Sequence, residues 1–172
     1  MSYLFLDVDG VINPWVAEHL GDDWRQTRID RYWVWTSLNF GAWLNSLIER
    51  GVTIVWATTW IENEIMRNEL CLSFGLDLDW PCIDRLEWGP DDVGCGKRPG
   101  LMRFMALHDI DPGVTPVVWV DDCLGSHDIS YALRAGITPV RPPNHQGIVS
   151  EAWRSFIEEK LGLLSPSSAA SG

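Results

Sequence analysis

The sequence predicts an α/β fold, in which a Rossmann-like parallel sheet carries helices on both faces. Short apolar runs, typical of buried strands, alternate along the 172 residues with longer stretches of helical periodicity. In addition, 46% of the residues are hydrophobic, which is enough to fill one core of this size. We therefore expect one folded unit over residues 1–164, followed by a disordered Ser/Ala/Gly tail at residues 165–172.

The first predicted elements form a β, α, β series. Residues 3–8 are a short buried run, residues 37–50 place apolar side chains on one helical stripe before Gly51, and residues 52–58 are rich in β-branched side chains. Between the first strand and the first helix, residues 13–36 carry mixed charges and four tryptophans without a clear period. This segment predicts a loop-rich excursion over the sheet.

The remaining elements continue the alternation, with glycine and proline marking several of their ends. Helix ends are expected before Gly75 and Gly136, and Pro99 is expected to open a helix. The predicted elements are helices at residues 61–74, 99–108, 126–135 and 148–161, and strands at residues 116–120 and 137–140.

Composition excludes several classes of protein. The formal net charge of -11 and the sequence pI of about 4.6 argue against a broad nucleic-acid-binding surface, although they are compatible with a local contact. The longest apolar stretches, residues 52–57 and 117–120, are far shorter than the roughly 18–20 residues that span a bilayer. Asp7 and Asp9 interrupt the first apolar stretch before it could act as a secretory signal, so we expect no membrane segment and a cytoplasmic location.

The cysteine spacing predicts reduced thiols, and the number of tryptophans is unusually high. The four cysteines form no C-x-x-C pair, which predicts neither a zinc site nor a disulfide framework. Eleven tryptophans are several times the usual share. A core rich in large rings is the favoured interpretation, and a wall that stacks a ligand is the alternative.

Two carboxylates follow the first predicted strand. Asp7 and Asp9 are two residues apart, so both could point into one pocket if the extended geometry continues that far. Crowded carboxylates beside a buried strand are tolerated only when a proton, a metal or a cationic side chain compensates them. The alternative is that they cap the following turn, with Gly10 supplying the bend.

Three other polar clusters lie at the ends of predicted elements. Ligands of an open parallel sheet bind beyond the carboxyl ends of its strands, where these groups would converge. Each cluster also has a purely structural explanation. The threonine or the acidic pair could cap a helix, and the lysine could be a solvated surface side chain. The clusters are Thr58-Thr59, Lys97-Arg98 and Asp121-Asp122.

Four motifs therefore occur in a fixed order, namely Asp7-Val8-Asp9-Gly10-Val11, Thr58, Lys97 and Asp121-Asp122. This ordered set resembles the haloacid dehalogenase (HAD) superfamily over residues 3–140. The resemblance implies that Asp7 is a nucleophile forming an aspartyl-phosphate and that Asp9 is the general acid/base. Members of the superfamily that cleave carbon-halogen or carbon-phosphorus bonds, and the transport ATPases, generally lack an aspartate at the position of Asp9. The resemblance therefore implies a phosphatase, with a phosphomutase as the less favoured alternative.

The resemblance also implies a Mg²⁺ site. Four carboxylates and an approaching phosphate cannot be balanced by Lys97 alone, and Mg²⁺ prefers such oxygen ligands. The implied ligands are the Asp7 carboxylate, the Asp9 carbonyl and Asp122, with Asp121 as the second choice. Thr58 and Lys97 would hold the phosphoryl oxygens, with Thr59 competing for the role of Thr58, whereas Asp128 does not fit the spacing of the family's extra acid. The other candidate substrate-binding residues are Gly10, Thr59, Arg98, Trp15 and Trp60.

The substrate is expected to be phosphorylated and large. Residues 40–58 are one predicted helix and one predicted strand, and residues 60–96 number only 37, so neither interval leaves room for a large cap domain. An open site suits large substrates such as nucleic-acid ends. The segment Trp56-Ala57-Thr58-Thr59-Trp60 is similar to phosphatase modules of RNA-repair polypeptides. A nucleotide or polynucleotide end is therefore the first hypothesis, and the alternatives are a small phosphorylated metabolite and a catalytically silent module that binds Mg²⁺ and a phosphorylated partner. The tryptophans available to stack a base are Trp15, Trp24, Trp33 and Trp35.

Overall fold

A four-stranded parallel sheet forms the centre of the protein, in the strand order β4-β1-β5-β6. The computed structural model describes residues 1–78, 80–87, 96–143 and 146–164, and the predicted tail at residues 165–172 lies outside them. The strands are β1 (Ser2–Leu6), β2 (Arg25–Ile29), β3 (Tyr32–Thr36), β4 (Val52–Trp56), β5 (Val117–Val120) and β6 (Thr138–Val140). The helices are α1 (Leu38–Glu49), α2 (Glu64–Phe74), α3 (Arg98–Leu107), α4 (Ser126–Arg134) and α5 (Glu151–Lys160). The predicted α/β class is confirmed.

The register of the sheet brings the carboxyl ends of its strands to one edge. Leu6 of β1 is the partner of Trp56 in β4 on one side and of Val120 in β5 on the other. The ladder continues one residue further, because the Asp7 amide donates to the Val120 carbonyl at 3.1 Å and the Ala57 amide donates to the Leu6 carbonyl at 2.9 Å. The polar residues that follow these three strands therefore begin side by side.

The core explains why these segments fold as they do. Leu4, Phe5 and Leu6 of the central strand are fully buried, as expected for a strand with neighbours on both edges and elements on both faces. Helix α1 begins where the Ser37 hydroxyl accepts a hydrogen bond from the Phe40 amide, and it buries its apolar stripe against the sheet and α2.

Residues 13–36 differ from the predicted loop-rich excursion, because β2 and β3 form an antiparallel hairpin. One face of the hairpin is buried, with Ile29 and Val34 at most 1% exposed. Its other face carries Trp33, which is 64% exposed, instead of a polar residue. Rings on the solvent face removed the alternation of polar and apolar residues that identifies a strand in a sequence.

Several element boundaries also differ, and three of these differences have a local reason. Strand β1 ends at Leu6 rather than at residue 8, because the chain turns after Asp7. Helix α2 begins at Glu64 because Asn63 caps it, accepting from the Met66 amide at 3.1 Å, and a 3-10 turn (Thr59–Glu62) precedes this cap. Helix α5 begins after Ser150, whose hydroxyl accepts from the Trp153 amide at 3.4 Å.

The structure describes three of the four cysteines and five α-helices. Cys71, Cys82 and Cys123 are free thiols, whereas Cys95 lies outside the described residues. Within the described ranges, we find no helix with both the length and the apolar character needed to cross a membrane.

Candidate active site

Lys97 joins the ends of two strands through a buried pair of ionic contacts. Its Nζ lies 2.6 Å from Asp7 Oδ2 and 2.7 Å from Asp121 Oδ2. Asp7 follows β1, Asp121 follows β5, and Lys97 is the N-cap residue of α3. The exposed fractions are 5% for Asp7, 3% for Lys97 and 0% for Asp121, so all three charges are shielded from water.

Burial governs the electrostatics of these three side chains. It raises the pKa of Asp7 to about 7, although Lys97 opposes this shift, and the nearby Asp121 charge adds to it. Burial likewise raises the pKa of Asp121 against the pull of Lys97. For Lys97, burial alone would lower the pKa, but the two carboxylates more than offset this effect and raise it. Two carboxylates share one ammonium, so the site favours a further cation.

The two consecutive aspartates have different surroundings. Asp121 uses both carboxylate oxygens, because Oδ2 contacts Lys97 and Oδ1 accepts from the Cys123 amide at 2.8 Å. Asp122 is 6% exposed, and its carboxylate packs against Gly10 in the turn after Asp7. A Cβ at Gly10, where φ is +71°, would overlap Asp122 Oδ2. Asp122 therefore faces the β1 turn, whereas Asp121 faces Lys97.

The Asp9 carboxylate is held by two side chains, those of Asn13 and Trp60. Its Oδ1 accepts from Asn13 Nδ2 at 3.0 Å, and its Oδ2 accepts from Trp60 Nε1 at 2.9 Å. Asp7 and Asp9 would share one face only if the strand continued through both residues, but β1 ends at Leu6. Three amides, at residues 11–13, donate to the Val8 carbonyl and turn the chain instead. The turn therefore places the two carboxylates in separate surroundings.

The two threonines after β4 are also separated. Thr58 is fully buried, and its Oγ1 accepts from the Trp60 amide at 3.4 Å at the start of the 3-10 turn. Its hydroxyl keeps a proton that it can donate. Thr59 is exposed. Of the two threonines, Thr58 is therefore the one whose hydroxyl is buried at the carboxyl end of the sheet.

Arg98 lies beside Lys97, at the first position of α3, and turns toward α4. Its guanidinium is 4.0 Å from Asp128 Oδ1 and 6.0 Å from the centre of the Tyr131 ring. The buried Asp128 accepts from the Gly125 amide at 3.2 Å, so it stabilises the first turn of α4. This role explains an acidic residue that does not fit the spacing of the motifs.

The comparison with known families covers most of the chain. Residues 3–152 match the family described as the HAD domain in Swiss Army Knife RNA repair proteins. The chain belongs to this HAD family. Neither the curated proteins nor the solved structures contain a significant match to it. The family is one of phosphatase-type hydrolases that generally use Mg²⁺. The parallel sheet, with no large cap among the residues that the structure describes, is the HAD-like fold that the motifs predicted.

The donors present in this HAD site fit a hard cation. Asp121, Asp122 and Cys123 can each bring one ligand atom within 4.8 Å of the others. Burial, and next a hydrogen bond with Asp122, raise the pKa of the Cys123 thiol to about 12, so this group stays protonated. The remaining donors are carboxylate oxygens, which are the ligands that Mg²⁺ prefers.

An aromatic cavity of about 480 Å³ adjoins the HAD site. Trp15 and Trp33 are 62% and 64% exposed, whereas Trp24 packs in the core, 5.4 Å from Phe40 and 6.3 Å from Phe74 between ring centres. Of the four tryptophans predicted as available for stacking, the structure therefore places three at the cavity and one in the core. The lining residues are Asp9, Asn13, Pro14, Trp15, Gln26, Tyr32, Trp33 and Trp35.

Sequence reasoning missed two polar residues of the site. Asn13 donates to Asp9 and also accepts from the Trp35 amide at 3.0 Å, so it joins the β1 turn to the hairpin. Arg141 follows β6 and donates from Nε to the Asp122 carbonyl at 3.0 Å. Its place after a strand of the same parallel sheet was a usable signal, because every other strand of that sheet is followed by a candidate residue.

Proposed function

We propose that this protein is a Mg²⁺-dependent phosphomonoester hydrolase that acts through an aspartyl-phosphate on Asp7, with nucleotide or polynucleotide ends as substrates. The observation that carries this proposal is the buried contact of Lys97 with Asp7 and Asp121, at the edge where Asp122 faces the β1 turn. The RNA repair named in the family description supports a polynucleotide substrate.

Asp7 is the nucleophile of the proposed reaction. Its Oδ1 accepts from the Val8 amide at 2.7 Å and its Oδ2 contacts Lys97, so the carboxylate is held in one orientation. Attack on phosphorus forms an acyl phosphate and breaks the bond between phosphorus and the ester oxygen. Water then attacks the phosphorus of this intermediate, which releases inorganic phosphate and restores the Asp7 carboxylate.

Asp9 moves the protons in both steps. It gives a proton to the leaving ester oxygen in the first step and takes one from the attacking water in the second. Asn13 and Trp60 hold one oxygen each, and every carboxylate oxygen has a second lone pair for the transferred proton. Asp9 can therefore exchange protons without losing its supports.

Lys97 and Thr58 would bind the phosphoryl oxygens as charge increases on them. Lys97 is a buried ammonium at the start of a helix, and Thr58 is a buried hydroxyl donor. Asp7, Asp122 and the Asp9 carbonyl would hold Mg²⁺. When bound, this ion supplies positive charge that balances the carboxylates and the substrate phosphate.

A small phosphorylated metabolite is the second candidate substrate. The formal net charge of -11 favours it, because a polyanionic strand would be repelled by most of the surface. The two candidates differ in what surrounds the phosphate, so a panel of substrates distinguishes them.

The test measures phosphate release from p-nitrophenyl phosphate, 5′- and 3′-nucleotides and 3′-phosphorylated oligonucleotides, each with Mg²⁺ or with EDTA. We expect Mg²⁺-dependent release that Asp7→Asn abolishes and Asp111→Asn retains, since Asp111 is exposed in the loop before β5. Retained turnover in Asp7→Asn would contradict the covalent mechanism. No release by a folded, Mg²⁺-binding protein would favour the silent binding module.

A further inference from the structure

The hairpin of β2 and β3 has two chemically different faces. Ile29, Val34 and Thr36 lie on its inner face and are at most 1% exposed. Because side chains alternate along a strand, the other face carries two cross-strand pairs that point away from the core. These pairs are Gln26 with Trp35 and Arg28 with Trp33.

The outer face of the hairpin and the turn after β1 enclose the aromatic cavity. Trp33 comes from β3, and Trp15 comes from the segment that follows the turn. Both rings are more than half exposed, although large rings of this kind are normally buried. Two such rings on one concave surface mark a place where an apolar, flat ligand gains contact.

The cavity communicates directly with the proposed acid/base. Asp9 is one of its lining residues, and Asn13 links the Asp9 carboxylate to the Trp35 backbone. On the other side, Trp60 donates to Asp9, and its ring lies 5.8 Å from that of Tyr32 between centres. A ligand in the cavity is therefore next to the leaving-group side of the phosphoryl site.

The charges of the lining select the part of the substrate that fits. Among the described residues that line the cavity, Asp9 is the only charged side chain, and none is a lysine or an arginine. A phosphate would be repelled by this lining, whereas a neutral heterocycle would not. The amides of Asn13 and Gln26 offer both donors and acceptors to the edge of such a ring.

We propose that this cavity binds the unpaired base of the nucleotide that carries the scissile phosphate, with the base stacked on Trp33 and Trp15; the assignment rests on the proposed function. A base inside a duplex has both faces covered by its neighbours, so only an unpaired end can supply a free face. Arg28 is paired with Trp33 on the outer face, and its Nε donates to the Asp30 carbonyl at 2.9 Å. Its other guanidinium N–H groups would contact the next phosphate of a strand.

The test measures the affinity of the unmodified protein for single-stranded oligonucleotides that end in a hydroxyl, by fluorescence anisotropy. Such ligands contain no phosphomonoester, so binding is read without turnover. We expect Trp33→Ala to weaken binding by about 5- to 100-fold, Trp33→Phe to restore most of the affinity, and a blunt duplex to bind far more weakly. Leu133→Ala is the matched control, since Leu133 is also 64% exposed but lies on α4.

Two further comparisons distinguish an oligonucleotide ligand from a mononucleotide and distinguish the base site from the proposed hydrolase activity. Arg28→Gln is expected to weaken the binding of an oligonucleotide more than the binding of a mononucleotide. It is also expected to make oligonucleotide binding less sensitive to salt. Equal effects on the two ligands would assign the site to mononucleotides. Equal affinity of Trp33→Ala and the unmodified protein, or preference for the duplex, would overturn the base site even if phosphate release is observed. Tryptophan-dependent binding without any phosphate release would overturn only the hydrolase.

Discussion

Lys97 is the residue on which the geometry of the site depends most. It is the only cation within 4.0 Å of Asp7 or Asp121 in the described part of the chain, and its side chain is 4% exposed. We expect Lys97→Met to destabilise the fold by about 3–5 kcal/mol, because two buried carboxylates lose their partner. Urea unfolding followed by circular dichroism measures this change.

The control for this substitution is Lys160→Met, since the Lys160 side chain is 36% exposed and pairs with a surface glutamate. Its effect is expected to be below about 1 kcal/mol. Equal stability of the two variants would show that Asp7 and Asp121 are relieved by protonation rather than by Lys97.

Gly10 allows Asp122 to approach the turn after β1. Gly10→Ala places a methyl group so close to Asp122 Oδ2 that the two would overlap, and it also requires an alanine at φ +71°. We expect it to weaken Mg²⁺-dependent phosphate release at least tenfold. Gly51→Ala is the matched control, because Gly51 also has a positive φ but a methyl group there would have no heavy atom within 4 Å.

In both variants an alanine adopts a positive φ, which costs about 1–2 kcal/mol. Comparing their free energies of unfolding therefore separates this backbone cost from the displacement of Asp122. Similar activity in the two variants would contradict a role for the close approach of Gly10 and Asp122.

Single residues of the site differ in how far the sequence could predict their placement. The convergence of Asp7, Lys97 and Asp121 was predictable, because each follows a strand or begins a helix at one edge of a parallel sheet. The direction of Asp9 was not predictable, since three backbone hydrogen bonds to the Val8 carbonyl decide it. Such bonds depend on the turn as a whole and leave no residue pattern that identifies them.

At the scale of elements, Glu158 fastens α5 to α1. It accepts from Trp43 Nε1 at 2.7 Å and from Arg50 Nη1 at 2.9 Å. Burial alone would raise the pKa of Glu158, but these two hydrogen bonds outweigh it and hold the pKa below its usual value. A lowered pKa in the folded state stabilises the fold above the unfolded-state pKa, and this contribution is lost as the pH falls through the folded-state value.

We therefore expect Glu158→Gln to lower the free energy of unfolding by about 1 kcal/mol at pH 7 and by less near pH 3. Thermal unfolding at both pH values measures the difference. Glu159→Gln is the control, because the Glu159 side chain is 60% exposed and pairs with its neighbour Lys160 on the same helix. A loss that stays constant with pH would contradict the ionic role of Glu158.

The elements were predicted well where the pattern is apolar along one face, as in α1, or at every residue, as in β5. The hairpin of β2 and β3 was not predicted, because Trp33 and Trp35 occupy positions on the outer face where a strand normally carries polar residues. The same substitution of rings for polar residues creates the cavity. The failure of the sequence pattern and the proposed base site therefore have one physical cause.

At the scale of the whole molecule, bound Mg²⁺ is expected to stabilise the fold. The site holds more carboxylates than cations in a protein of net charge -11, so a divalent ion that binds only the folded state shifts the unfolding equilibrium. We expect a rise of about 2.7 kcal/mol in the free energy of unfolding at a Mg²⁺ concentration about 100 times the Kd. Differential scanning fluorimetry across a Mg²⁺ titration measures it.

Asp122→Asn is expected to reduce this stabilisation strongly, whereas Asp111→Asn, at an exposed loop, is expected to leave it intact. Equal Mg²⁺ effects in both variants would move the cation away from Asp122. NaCl at matched ionic strength controls for general screening of the acidic surface.

The buried inner face of the hairpin has a consequence for recognition at a distance. Ile29 and Val34 are held by the core, so the rings on the opposite side of the same strands are positioned before any ligand arrives. Preorganised rings lose little conformational freedom on contact, which keeps more of the stacking energy as affinity. Side-chain volume removed beneath the hairpin, as in Val34→Ala, would therefore alter selectivity from a position that no ligand touches.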